Sequence, residues 1–119
     1  MLYNIGKEGG NVTIEEIYQL FSKKKILYKK HAYMRMIERG ITQKEIEKAV
    51  KNGKIIETTV EKRYTKYLIC GKVNDKYIHV VLRASDDSWV ITVYYPYSEL
   101  WNEDFTVRIK EGDEPDEML

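Results

Sequence analysis

The side chains best suited to moving a proton or holding an anion in this 119-residue chain are its two histidines and the arginines near them. His31, Arg35 and Arg39 recur every four residues in the stretch K-H-A-Y-M-R-M-I-E-R-G-I, from Lys30 to Ile41. On a helix this spacing places a titratable imidazole and two guanidiniums on one face. Like charges four residues apart repel, so such a face is expected to meet something anionic. Ala32 and Met36, with Tyr33 and Ile37 beside them, give the same helix an apolar stripe that can dock on a core. The competing reading is a solvated charge network in which Arg35 and Arg39 pair with Glu38, Glu45 or Glu57.

A second group of the same chemical type lies on two strand-like stretches. In Tyr77 to Ala84 a period of two sets Ile78, Val80 and Leu82 against Tyr77, His79, Val81 and Arg83. In Trp89 to Tyr95 it sets Trp89, Ile91, Val93 and Tyr95 against Val90, Thr92 and Tyr94. With the apolar side as core, His79 and Arg83 are expected to lie open beside Thr92 and Tyr94. An ordinary wet face of a half-buried antiparallel sheet would read the same way.

The elements that must carry these residues are marked locally. Thr13 with Glu16 is a capping box, and Ile14, Ile17, Tyr18 and Phe21 follow one buried helical face to about Lys25. The helix bearing His31 is expected to start at Tyr28 or Lys29 and to stop at Gly40. Thr42 with Glu45 opens a third helix, with Ile46, Ala49 and Val50 inward and Gly53 at its end. Four stretches rich in Ile, Val, Thr and Tyr follow, Ile55–Val60, Tyr64–Gly71, Tyr77–Ala84 and Trp89–Tyr95, separated by short polar turns. Together they predict an α+β fold with N-terminal helices packed on a four-stranded antiparallel meander. Trp101 and Phe105 are placed to bring the chain back over the core, and Thr106 to Ile109 reads as a short extra strand.

Length and composition set the outer bounds. The expected organisation is a loose Gly-containing leader over 1–12, one α+β domain over 13–110 and a solvated acidic tail over 111–119. Apolar and charged fractions of 43% and 33% describe a folded globular chain. No apolar run is long enough to span a bilayer and the first residues lack a signal-peptide pattern, so a cytoplasmic address is expected. The net charge of +1 conceals a basic segment from Ser22 to Lys54, with eleven basic residues against three acids. Such a segment recruits phosphate. Cys70 is the single cysteine, which excludes an internal disulfide and a cysteine-rich zinc site. Two histidines without a ligand-spaced carboxylate cluster predict no metal and no cofactor. Neither a Gly-rich phosphate loop nor a Ser nucleophile elbow is present.

His-x3-Arg-x3-Arg-Gly-Ile-Thr, the Asn52-Gly53 helix end, the strand Tyr77-Ile78-His79-Val80-Val81 and the strand Ile91-Thr92-Val93-Tyr94 resemble the bacterial domain-of-unknown-function family 4258. The resemblance covers about Lys30 to Pro96. That family is commonly grouped with the RelE-like, barnase-like and colicin-type ribonuclease toxins. The resemblance therefore implies a RelE/barnase-like fold and a metal-independent endoribonuclease, with RNA as substrate and an antitoxin protein as partner.

Cleavage of RNA through its own 2′-hydroxyl needs a base for that proton, an acid for the leaving 5′-oxygen and a cation on the phosphorane. On this expectation His31 and His79 are the acid and base pair. Arg35 and Arg83 hold the phosphate. Thr92 or Tyr94 supplies an orienting hydroxyl, Arg39 either contacts the substrate or holds the helix corner, and Tyr64, Tyr67, Tyr77 and Tyr94 add stacking surface. One geometric condition must hold: His31 can meet His79 only near a sheet edge, because helices on the apolar face leave His79 on the other. The alternative is a non-catalytic module that binds RNA or a protein through the basic helix face.

Overall fold

The computed structural model describes residues 12–84 and 87–112. The expected leader up to Asn11, the Ser85-Asp86 part of the last strand turn and the acidic tail from Asp113 lie outside the described residues.

Three helices precede most of the sheet: α1 over Ile14–Ser22, α2 over Lys30–Arg39 and α3 over Gln43–Asn52. Both expected capping boxes form. Glu16 N–H donates to Thr13 Oγ1 at 3.1 Å while Thr13 N–H donates to Glu16 Oε1 at 3.0 Å. Thr42 and Glu45 repeat the exchange at 3.1 and 2.9 Å. Each satisfies two of the amide donors that a helix start leaves open, worth about 0.5–2 kcal/mol. Gly40 ends α2 at φ 64°, the left-handed region that suits glycine. The Ile41 amide then bonds back to the Met36 carbonyl, so α2 and α3 are joined with little slack.

The sheet contains β1 (Leu27–Tyr28), β2 (Lys54–Val60), β3 (Thr65–Val73), β4 (Lys76–Ala84) and β5 (Trp89–Tyr94), in the order β1-β5-β4-β3-β2. The expected four-stranded antiparallel meander is corrected here. The sheet has five strands and is mixed, because β1 pairs parallel with β5, Leu27 opposite Trp89 and Tyr28 opposite Val90. Tyr28 is therefore strand, and α2 begins only at Lys30. Two residues carry no periodicity, so no local signal marks β1. The strand expected at Thr106–Ile109 is instead a single bridge between Trp101 and Arg108.

Both faces of the sheet are covered. Helix residues Ile17, Phe21, Ile46, Ala49 and Val50 pack on Ile69, Val80, Leu82, Val90 and Val93. At Gly71 the sheet approaches α3 so closely that a Cβ would collide with the Ala49 carbonyl. The opposite face carries a smaller core of Leu68, Tyr94, Leu100 and Trp101, with Ile56, Val81 and Phe105 against it. The chain after β5 builds this second core by folding back under the sheet.

A bulge in β5 corrects the expected strand parity. Val81 faces Thr92, yet Leu82 faces Val90, so Ile91 is an extra residue. Val90 thereby joins Val93 on the helix side, and Trp89 moves to the face of Thr92 and Tyr94.

Candidate functional site

The position of α2 follows from its two ends. Lys29 N–H still donates to the Val90 carbonyl at 3.0 Å as the chain leaves β1. Ten residues later, Arg39 Nη1 donates to the Val93 carbonyl at 2.9 Å. Helix α2 thus runs along the outer edge of β5, and Arg39 covers a carbonyl that an edge strand would otherwise expose. His31, Arg35 and Arg39 are all half-buried and share the expected ridge. Arg35 Nη1 pairs with Glu38 Oε1 at 2.8 Å, whereas Glu57 is taken by Arg108 in a two-bond pair of 2.6 and 3.1 Å.

On the second face, one end of the sheet carries a row of alternating cations and rings. The Lys29 ammonium stands 4.7 Å from the centre of the Trp89 ring. The Arg83 guanidinium lies 5.8 Å from Trp89 and 5.3 Å from Tyr64. Lys66 is directly opposite Arg83 across the β3–β4 ladder, on the same face. Two cations in that relation repel, whereas the Tyr64 and Trp89 ring faces attract Arg83. Arg83 Nε and Trp89 Nε1 are buried and have no hydrogen-bond partner among the described residues. Buried donors of this kind cost about 1–3 kcal/mol each if nothing accepts from them. The row meets the α2 ridge at Lys29, two residues before His31.

His79 lies elsewhere, and the expectation of an open His79 is corrected. It is fully buried, as are its neighbours Thr92 and Tyr94. The Trp101 ring stands edge-on to the imidazole at 4.6 Å and 89°, and the Tyr94 ring packs at 5.4 Å. His79 Nε2 is 2.9 Å from the Phe105 carbonyl, which only accepts, so Nε2 carries the proton. The Tyr94 hydroxyl lies 3.4 Å from Nδ1. Phe105 itself sits at φ 61°, a backbone state that a non-glycine residue keeps only where its surroundings fix it. The cover is held further by Asn102 Oδ1, which accepts from the Thr106 and Val107 amides at 2.9 and 3.1 Å. Its last tie is Arg108, stacked on Trp101 at 4.6 Å.

The sequence-derived residues therefore separate. His31, Arg35 and Arg39 lie along the β5 edge, on the helix layer. Arg83 lies on the second face, at its cationic end. His79, Thr92 and Tyr94 lie under the cover. Tyr67 is buried in the helix-side core, on the opposite face from Arg83, and its hydroxyl titrates above the usual tyrosine range because burial disfavours the phenolate. Trp89 and Lys29 complete the row without having been singled out. Trp89 reaches that face only through the bulge at Ile91, and Lys29 is aimed at it by β1, so neither position follows from spacing. Among the described residues, no three His, Cys, Asp or Glu side chains cluster as metal ligands, and no helix is long and apolar enough to cross a membrane.

A family model described as "Domain of unknown function (DUF4258)" matches residues 28–95. No curated protein and no solved structure matches the chain. The matched stretch contains the α2 ridge and every member of the cation and ring row, whereas α1 and the cover over His79 fall outside it.

Proposed function

The chain belongs to the DUF4258 family, and on that premise we propose that it binds single-stranded RNA across the row formed by Tyr64, Arg83, Trp89 and Lys29 and along the ridge of His31 and Arg35. The single observation that carries this reading is the half-buried Arg83 guanidinium, held against the Tyr64 and Trp89 rings with Lys66 opposite it and Lys29 against the same Trp89 ring. Its surroundings supply cations for phosphates, and aromatic edges suit the bases of an unpaired strand. Phosphate contacts made by arginine gain from its flat, permanently charged fork.

Catalysis is the second reading, and one observation favours it. The half-buried His31, whose Nε2 is sealed from solvent, begins the ridge that meets the row, so a substrate would have to meet its Nδ1. An imidazole there could take the 2′-hydroxyl proton or protonate the leaving 5′-oxygen, a role worth roughly a hundredfold to ten-thousandfold. It would work without His79, whose ring nitrogens face Phe105 and Tyr94 under the cover. The RelE/barnase-like fold, the toxin role and an antitoxin partner rest on the motif resemblance alone.

The test is a titration of the protein into labelled single-stranded RNA in the presence of a metal chelator, with Arg83→Ala and His31→Ala variants alongside. Arg83→Ala should weaken retention about tenfold and lower the salt dependence by about one ion. Unchanged affinity in that variant would remove the row from the interface. Cyclic-phosphate ends produced by the parent protein and lost in His31→Ala would establish the catalytic reading as well.

A further inference from the structure

Strand β2 forms one edge of the sheet, and among the described residues no segment pairs with its outer side. The Glu61 amide donates to the Tyr64 carbonyl at 2.8 Å. Alternation along an antiparallel ladder then turns the backbone groups of Thr59 and Glu57 inward, and those of Val60 and Thr58 outward. The Val60 side chain is 81% exposed beside these outward groups. An open edge of this kind is a template for another strand.

We propose that its occupant is β2 of a second copy of this chain, running antiparallel about a two-fold axis through Thr58. In this register Thr58 faces Thr58 of the second copy, and the two exchange both backbone hydrogen bonds. Glu57 then faces Thr59, Ile55 faces Val60 and Lys54 faces Glu61, each twice by symmetry. Ile56 is already the extra residue where Ile55 pairs with Ile69 and Glu57 with Leu68, and it stays extra in the new ladder. The faces consequently match. Ile55 and Val60 lie together on the helix side, and Lys54 and Glu61 lie together on the other. The neighbouring two-fold registers lack this complementarity. An axis at Glu57 sets Glu57 against itself, and an axis at Thr59 sets Glu57 against Glu61, both like-charge pairs that oppose association. The product is a continuous ten-strand sheet with the helices of both copies on one side. Interfaces in which one patch meets itself are the commonest in homo-oligomers.

Sedimentation or light scattering of the full chain reads the outcome. The parent protein is expected to be a dimer at micromolar concentration. Thr58→Pro removes only an outward amide, which an edge strand tolerates, and should give a folded monomer by circular dichroism. Lys54→Glu and Glu61→Lys should each weaken the dimer about tenfold or more, since each replaces two attractive pairs by two repulsive ones. Mixing these two variants should restore association. In the mixed pair the introduced carboxylate faces the introduced ammonium, and the unchanged Lys54 of one copy faces the unchanged Glu61 of the other. Recovery on mixing cannot come from misfolded chains. A parent protein that stays monomeric overturns the proposal. So does a dimer that Thr58→Pro leaves intact, or a mixture that associates no better than its components.

Discussion

Replacing His79 by alanine is expected to destabilise the protein by about 3–5 kcal/mol, and to do so by loosening the segment that covers the second face. Three losses combine at this fully buried position. The Phe105 carbonyl loses its Nε2–H donor at 2.9 Å, about 1–3 kcal/mol where the oxygen stays out of reach of water. The Trp101 edge contact at 4.6 Å disappears, about 0.5–1.5 kcal/mol. The space left by the ring then adds a cavity cost, within the range of about 2–5 kcal/mol that large-to-alanine core substitutions span. These contributions overlap, so the simple sum is an upper bound.

Urea unfolding followed by circular dichroism gives the total, and near-ultraviolet ellipticity reports the Trp101 environment separately. His79→Phe divides the causes, because it keeps a ring against Trp101 and removes the donor to Phe105; it should cost about 1–3 kcal/mol. RNA retention through Arg83 should survive both changes under conditions where the variants remain folded. The reasoning is refuted if His79→Ala stays within about 0.5 kcal/mol of the parent, the range of an ordinary surface substitution. If such a stable variant also lost RNA cleavage, His79 would have to reach substrate, and the cover would have to open during the reaction.

Two further outcomes follow from packing and titration. Gly71→Ala should cost about 1–3 kcal/mol or more by thermal unfolding, because the added methyl collides with the Ala49 carbonyl, a backbone atom that cannot rotate away; an unchanged midpoint would show that α3 shifts freely on the sheet. Stability should also fall on the alkaline side between pH 9 and about pH 11. Burial, with a smaller contribution from Asp104, pushes the Cys70 thiol from 9.0 up to about 11 against a lowering by Lys54, so the neutral thiol favours the folded state. That contribution is complete below the unfolded value and lost as pH rises through the folded one. Burial raises the Tyr28 hydroxyl in the same direction, followed by Glu47 and Tyr33. Cys70→Ala should flatten part of the decline in a pH series of urea midpoints, and an identical decline in the variant would assign it to other groups.

Short-range forces account for everything that was legible in the order of residues. Thr13 with Glu16, Thr42 with Glu45, and Gly40 fix where α1, α3 and α2 start or stop, because each signal acts within one helical turn. The apolar spacing of Ile17 and Phe21 and of Ile46, Ala49 and Val50 chose the buried helix faces for the same reason. The α2 ridge of His31, Arg35 and Arg39 was legible too, since a helix fixes the relation of residues four apart. What these residues meet was set by tertiary structure. Tyr28 becomes strand only because β5 lies beside it. Ile91 becomes a bulge only through its register with β4, and that bulge carries Trp89 to Arg83. His79 is sealed because Trp101 and Phe105, more than twenty residues further along the chain, return across its face. An alternating strand records which side a residue takes, but burial of that side depends on a distant segment, and period-two patterning contains no term for it.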